Sequence, residues 1–153
     1  MKKDAPFLWS PACQEAINGL RSTLASAVMR PHFDPSLPTT VATEATDGCL
    51  GAAMHQAQLA GLSHPQPVAF VSKTMIPAEL TYFIHDKALL AIVRALEEWE
   101  PELLSLQEPF VVVTDHRALE YFMMRQKLNA IQARWAEYLS RFTFNISKKI
   151  TCI

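Results

Sequence analysis

Apolar positions along this 153-residue chain follow two spacings, one typical of helices and one typical of strands. Apolar residues three or four apart predict an amphipathic helix over about 11–25, a stronger helix over about 82–99, and a third helix that begins after Asn129. Gln132 stands three residues after Asn129, as in a variant of the capping box. Another helix is predicted over about 116–125.

β-Compatible runs lie between these helices, near 39–58, 68–71, 110–114 and 144–146. The first run contains Asp47-Gly48, a tight-turn signal, and therefore predicts two strands joined by a turn. Because the first three strands are joined locally, we expect them to pair antiparallel. The order is helix, three strands, helix, strand, two helices, strand, which predicts one α/β domain on a mixed sheet.

Prolines mark predicted boundaries between the parts of the chain. Pro31, Pro35 and Pro38 predict an extended connector, and Pro101 is expected to end the helix over 82–99. We therefore expect three parts: an N-terminal helix with a proline-rich connector (1–38), the α/β domain (39–147) and an atypical C-terminal tail (148–153).

Composition excludes several classes of protein. Hydrophobic residues at 50% and charged residues at 19% indicate a globular chain, neither disordered nor membrane-spanning. No apolar run approaches the roughly 20 residues that cross a bilayer, and the charged start has no apolar stretch behind it, as a secretory signal would need. Three cysteines without metal-type spacing indicate a reduced, intracellular protein of the cytoplasm or nucleus.

The net charge of −1 conceals an asymmetry between two segments. Residues 76–108 contain seven acids and two bases, a net charge of −5, whereas residues 116–149 contain seven bases and two acids, a net charge of +5. A basic segment suits a phosphate backbone. Pairing of the two segments on a solvated surface explains the asymmetry equally well, and both interpretations stay open.

Two apolar runs each end in a threonine followed by an acid. Val41-Ala42-Thr43 precedes Glu44, and Val111-Val112-Val113-Thr114 precedes Asp115. A strand end holds a carboxylate rigidly, and two such ends meet only through the fold, which is how metal-binding carboxylate clusters are assembled. Taken alone, Asp115 also suits a helix cap and Glu44 a solvated position.

Several groups of residues recur in an order and at spacings that one family shares. They are Phe7-Leu8-Trp9 with Cys13-Gln14-Glu15-Ala16, Thr43-Glu44-Ala45-Thr46-Asp47 with Gly51-Ala52, His64-Pro65-Gln66-Pro67-Val68-Ala69-Phe70, Asp86-Lys87-Ala88-Leu89-Leu90-Ala91-Ile92-Val93, Thr114-Asp115-His116 with Leu119, and Leu128-Asn129-Ala130-Ile131-Gln132-Ala133-Arg134-Trp135. Together they resemble the ribonuclease H domain of gypsy-type LTR retrotransposon polyproteins, over nearly the whole chain.

The resemblance implies a ribonuclease H-like fold: a mixed five-stranded sheet, its first three strands antiparallel, flanked by helices. It also implies attachment behind a reverse transcriptase and cleavage of the RNA strand of RNA/DNA hybrids. In the family, four carboxylates hold two Mg²⁺ ions, with Mn²⁺ as a substitute, in a two-metal clamp on an in-line displacement.

The resemblance places a damaged site in this chain. Glu44 falls on the family's first aspartate, Ala88 falls on its glutamate, and Asp115 matches its third acid. The end of the chain, 147–153, contains no acid for the fourth. Glu44 and Asp115 are therefore the expected catalytic and metal-binding residues, with weakened metal binding and a rate lowered at least about a thousandfold. Whether Asp86 substitutes for the missing glutamate stays open.

Substrate contacts are also affected. Glu100 and Ile131 stand where the family usually has arginine, which weakens contact with the hybrid. The remaining candidates for nucleic-acid binding are His116, Arg117, Asn129, Gln132 and Arg134. The alternatives to an impaired nuclease are a catalytically silent nucleic-acid-binding or interaction module and a non-functional element remnant.

Overall fold

The structure is a computed structural model whose contacts divide the chain into two compact units, Met1–Arg30 and Pro31–Ile153. In the first unit, helix α1 (Pro11–Ser26) confirms the predicted N-terminal helix. Ser10 precedes it, and its Oγ accepts a hydrogen bond from the backbone N–H of Cys13 at 3.3 Å, as expected of a cap. The residues that the structure describes are 8–26, 32–57, 65–114 and 128–148.

The second unit contains all five strands of the described chain. Its elements, in chain order, are β1 (Thr39–Ala45), β2 (Cys49–Gln56), β3 (Gln66–Thr74), α2 (Pro77–Leu80), α3 (Ile84–Glu98), α4 (Glu100–Leu104), β4 (Phe110–Thr114), α5 (Ala130–Leu139) and β5 (Phe144–Lys148). The helix predicted over 116–125 lies outside the described residues.

The strands form one mixed sheet in the order β3-β2-β1-β4-β5. The pairs β1·β2 and β2·β3 are antiparallel, whereas β1·β4 and β4·β5 are parallel. This arrangement confirms the predicted mixed five-stranded sheet with three antiparallel strands first. The turn between β1 and β2 lies at Asp47-Gly48, where the backbone N–H of Thr46 donates to the carbonyl of Cys49 at 2.9 Å.

Helix α3 packs on one face of the sheet because its apolar residues recur at helical spacing. Leu89, Ile92 and Leu96 are fully or almost fully buried, in one cluster with Val41 of β1 and Val112 of β4. In β4, buried and half-buried residues alternate, so one face is covered fully and the other only in part.

The prediction that Pro101 ends the long helix is wrong in detail. Helix α3 already ends at Glu98, and Pro101 lies in the first turn of the short helix α4. Proline is tolerated there because the first N–H groups of a helix have no partner within the helix. No helix within the described ranges is long and apolar enough to cross a membrane.

Candidate active site

A hollow of about 120 Å³ lies at the C-terminal ends of the neighbouring strands β1 and β4. Its lining comes from three elements: the end of β1, the last residue of β4, and the first two turns of α3. The lining residues are Thr43, Glu44, Ala45, Ile84, Ala88, Ala91 and Thr114. Two of the three positions that carry the predicted site, 44 and 88, therefore share one hollow.

The parallel pairing of β1 and β4 brings Thr43 and Thr114 to the same end of the sheet. Thr43 and Thr114 are paired in register, and neighbouring strands are about 4.7–4.9 Å apart. Both threonines are 4% exposed, whereas Glu44 is exposed at the rim. Asp115 follows Thr114 in the sequence but lies outside the described residues.

The wall of the hollow that faces the strand ends is made of methyl groups. Ala88 and Ala91 are one helical turn apart on α3, and both are buried. Ile84, at the start of α3, extends the same wall but is 56% exposed. Position 88 thus lines the hollow and contributes a methyl group to it.

The described residues of the hollow do not by themselves supply a two-metal centre. Glu44 is the only acid among the described residues of the lining, and within the described ranges no group of three or more His, Cys, Asp or Glu is arranged to hold a metal ion. Mg²⁺ prefers octahedral coordination by oxygen, usually with carboxylates among its ligands. One described carboxylate and the hydroxyls of Thr43 and Thr114 do not supply that set.

Asp86 is absent from the described lining of the hollow. Its Oδ1 accepts a hydrogen bond from Gln132 Nε2 at 2.7 Å, and its Oδ2 lies 3.6 Å from His85 Nε2. It lines a separate cavity of about 50 Å³ beside α5. Because Asp86 and Ala88 are two positions apart on a helix, they face nearly opposite directions.

Asp47 lies in the turn between β1 and β2, as predicted, and it also forms an ion pair with Lys87. Lys87 is 7% exposed, and its Nζ lies 3.5 Å from Asp47 Oδ1. The Asp47 side chain is itself fully exposed. This pair joins the β1–β2 turn to the start of α3 and leaves Asp47 outside the lining of the hollow.

The structure describes three of the five nucleic-acid-binding candidates, and His116 and Arg117 lie outside the described residues. Asn129 and Gln132 form the predicted capping box of α5: each side chain accepts a hydrogen bond from the other's backbone N–H, at 2.8 and 3.2 Å. Gln132 is 5% exposed, so its position is structural. Asn129 and Arg134 are exposed, and their nucleic-acid role stays a prediction.

Glu100, at the start of α4, contacts α5 and the residues that follow it. Its carboxylate accepts hydrogen bonds from Tyr138 Oη, at 2.9 Å, and from Arg141 Nη2. Burial, followed by the bond to Glu100, raises the pKa of Tyr138 well above its usual range. The contact between Glu100 and Arg141 joins the acidic and basic segments, as the charge-pairing interpretation expects.

Sequence reasoning missed the polar atom that is buried beside the hollow. Thr43 Oγ1 has no hydrogen-bond partner among the described residues, although buried hydroxyls are nearly always paired. The alternation of burial along β1 could have assigned Thr43 to the buried face. The pairing of Thr43 with Thr114 depends on strand register, which the sequence does not reveal.

The sheet order, the position of α3 and the hollow at the ends of β1 and β4 define a ribonuclease H-like domain. The family model for the RNase H-like domain found in reverse transcriptase matches residues 34–142. The chain therefore belongs to this family. The fold class implied by the resemblance is confirmed.

Curated relatives with similar sequences are retrotransposon polyproteins. The Transposon Tf2-3 and Tf2-4 polyproteins of Schizosaccharomyces pombe are each 34% identical to the chain over 149 residues. The match covers 96% of the chain but only 11% of each polyprotein. The chain thus spans about a tenth of the length of these relatives.

Solved structures with a similar fold come from foamy virus. The native protease-reverse transcriptase of Prototype Foamy Virus matches 95% of the chain, and 20% of its own length, with a TM-score of 0.72 and 15% identity. A foamy viral protease-reverse transcriptase in complex with RNA/DNA hybrid matches the same shares with a TM-score of 0.61 and 18% identity. At these identities the likeness shows the fold.

Proposed function

We propose that this chain is the RNase H-like domain of a gypsy-type retrotransposon polyprotein, and that its metal-dependent cleavage of RNA in RNA/DNA hybrids is lost or strongly reduced. The polyprotein relatives and the family match support the setting, in which a reverse transcriptase precedes the domain. Such a domain works inside the cell, in the cytoplasm or nucleus. Its partner is the hybrid, and its residual affinity for Mg²⁺ or Mn²⁺ is weak.

One observation carries the proposed impairment. Ala88 lines the same hollow as Glu44, next to the end of β4, so the position that the resemblance assigns to a glutamate faces the expected site without a ligand. Glu44 adds a methylene to the side chain of the family's aspartate, which shifts the carboxylate in a site that tolerates about 0.5 Å. With Asp115, two expected carboxylates remain to neutralise two divalent cations.

A cleavage assay tests this proposal. Purified protein is incubated with end-labelled RNA/DNA hybrid and Mg²⁺ or Mn²⁺, beside the double variant Glu44→Asp with Ala88→Glu. We expect no turnover above background from the unaltered chain. If the residues at positions 44 and 88 are the sole cause of the lost activity, the double variant cleaves the hybrid.

The third acid supplies the control for both proteins. Asp115→Ala in the double variant should abolish any cleavage gained, because the restored site depends on that carboxylate. Metal-dependent turnover by the unaltered chain that disappears in its own Asp115→Ala variant would contradict the impaired-site proposal.

A second candidate is a catalytically silent module that binds nucleic acid. Arg134 is exposed on α5 within the basic segment, and the foamy viral neighbours include complexes with dsDNA and with RNA/DNA hybrid. If the module binds hybrid through phosphate contacts, the logarithm of its binding constant falls linearly with the logarithm of salt concentration. A binding titration by fluorescence anisotropy at several salt concentrations measures that slope, and absence of binding at low salt excludes this candidate.

A further inference from the structure

Four large apolar side chains are exposed within nine consecutive positions of the second unit. They are Ile76, Leu80, Phe83 and Ile84, with exposed fractions of 57%, 44%, 72% and 56%. Ile76 and Leu80 lie one helical turn apart at the two ends of α2, and Phe83 and Ile84 follow at the start of α3. We call these four side chains the apolar ridge. Exposed apolar residues clustered in this way are typical of an interaction surface, whereas single ones are ordinary.

A buried ion pair holds the short helix that carries the ridge. Helix α2 has only four residues, and a helix of that length is not stable alone. Glu79 of α2 is 6% exposed, and its carboxylate accepts hydrogen bonds from the backbone N–H of Ile76 and from Arg94 Nη2 on α3, each at 3.0 Å. Because these contacts fix α2 before a partner arrives, the ridge loses little conformational freedom when it binds.

The most exposed side chain of the ridge is also held in place. The ring of Phe83 stacks on the ring of His85, with centroids 5.7 Å apart and an angle of 3° between the planes. Rigid aromatic side chains supply a large contact area and lose few rotamers on binding, which is why they often anchor interfaces. Phe83 is therefore the expected anchor of the ridge.

The charge of the segment favours an apolar partner surface. Glu79 is the only charged residue at positions 76–84, and its carboxylate is buried against Arg94. A charged partner surface would lose hydration without meeting an opposite charge in the ridge. A second copy of the chain meets the condition, because two facing ridges bring apolar side chains together and oppose no like charges.

The area of the ridge sets the strength of such a contact. At these exposed fractions the four side chains offer roughly 400 Å² of surface, within the range of functional apolar patches. A two-fold contact buries the same patch on each copy, which gives about 800 Å² before the surrounding residues are added. Stable complexes bury about 1,200–2,000 Å², and weak, transient ones bury less. The expected dimer is therefore weak and reversible.

We propose that the apolar ridge is the contact surface of a weak two-fold dimer of this chain, in which the ridge of one copy packs against the ridge of the other. The dimer goes beyond the proposed function, because it involves neither nucleic acid nor metal. Phe83 is its central anchor, and the ion pair between Glu79 and Arg94 keeps the surface in its binding conformation.

Sedimentation equilibrium of the full chain, without metal or nucleic acid, tests the proposal. Between about 20 µM and about 1 mM protein, we expect the weight-average mass to rise at least about 1.3-fold, as a weak dimer requires. NMR over the same concentrations locates the contact. The methyl signals of Ile76, Leu80 and Ile84 should shift with concentration, whereas those of Leu104, a half-exposed leucine on α4, should not.

Matched variants assign the association to the ridge. Leu80→Ser with Phe83→Ser should abolish the rise in mass, and circular dichroism checks that the fold is kept. The control, Leu8→Ser with Leu20→Ser, removes two exposed apolar side chains from the first unit and should leave the association unchanged. A chain that stays monomeric at the highest concentration, or a control that loses the association as fully as the ridge variant, would overturn the dimer. Neither result bears on hybrid cleavage, which tests the proposed function separately.

Discussion

Two threonines on the same face of β1 provide an internal comparison at the scale of single residues. Thr39 and Thr43 are both 4% exposed. Thr39 Oγ1 donates to the carbonyl of Leu37 at 3.0 Å and accepts from Gln56 Nε2 at 2.9 Å. Thr43 Oγ1, in contrast, has no partner in the described part of the chain. Since an unpaired buried polar group costs free energy, the chain retains at Thr43 a hydroxyl that does not favour folding.

Replacement of each threonine by the isosteric valine should therefore have opposite effects. Thr43→Val removes an unsatisfied group, and we expect the free energy of unfolding to stay constant or rise by up to about 1 kcal/mol. Thr39→Val, the matched control, leaves Gln56 without one partner and should lower it by about 1–2 kcal/mol. Urea denaturation followed by circular dichroism measures both, and a loss for Thr43→Val equal to that for Thr39→Val would contradict the assignment.

Tyr138 makes a pH-dependent contribution to stability. Burial and the hydrogen bond to Glu100 raise its pKa in the folded protein, whereas an unfolded tyrosine has a pKa of about 10. A raised pKa means that the folded state holds the proton more tightly, so the stabilisation is complete below about pH 10 and declines above it. Tyr138→Phe should reduce the fall in stability between roughly pH 10 and 12, as measured by urea denaturation across that range.

A second tyrosine supplies the control for that measurement. Tyr82 packs edge-to-face on Trp135, with ring centroids 5.9 Å apart, and the structure records no hydrogen bond from its hydroxyl to an acid within the described residues. Tyr82→Phe should keep the alkaline fall in stability that the unaltered protein shows. If both variants flatten the profile equally, Tyr138 is not its source.

At the scale of elements, the N-terminus of α5 is fixed by Gln132. Its side chain accepts from the backbone N–H of Asn129 and donates to Asp86 on α3, and Gln132 is almost fully buried. We expect Gln132→Ala to lower the free energy of unfolding by about 2 kcal/mol, because one buried residue supplies both a cap and a contact between helices. Urea denaturation measures the loss, and the exposed Arg134→Ala should change stability by less than about 0.5 kcal/mol.

How far the elements could be predicted depended on their length and regularity. The strong apolar periodicity of 82–99 predicted α3, and the run 110–114 matches β4 at both ends. The short helices α2 and α4 escaped prediction because four or five residues are too few to show a period. The parallel pairing of β1 with β4 joins distant segments, and the sequence predicted only a mixed sheet without this pair.

The candidate site combines predictable and unpredictable parts at the scale of the whole molecule. The residue-by-residue match placed Glu44 and Ala88 at one site, and the structure brings them to one hollow. Helical geometry alone excludes Asp86 from it, since residues two apart on a helix are separated by about 200°. The size of the hollow and the unpaired hydroxyl of Thr43 follow from packing between distant segments, and no local pattern encodes them.

The global stability of the fold should be insensitive to Mg²⁺, because a ligand stabilises a protein only as far as it binds the folded state. Addition of MgCl₂ at constant ionic strength should leave the Tm of the unaltered chain unchanged.

The double variant Glu44→Asp with Ala88→Glu has a carboxylate on each side of the hollow. At free Mg²⁺ ten times its Kd, it should gain about 1.4 kcal/mol, or roughly 3–5 °C in Tm. Glu44→Asp with Ala88→Gln is the neutral control and should gain less. Calorimetry makes the measurement, and a rise in the Tm of the unaltered chain matching that of the double variant would show that the native hollow still binds the ion.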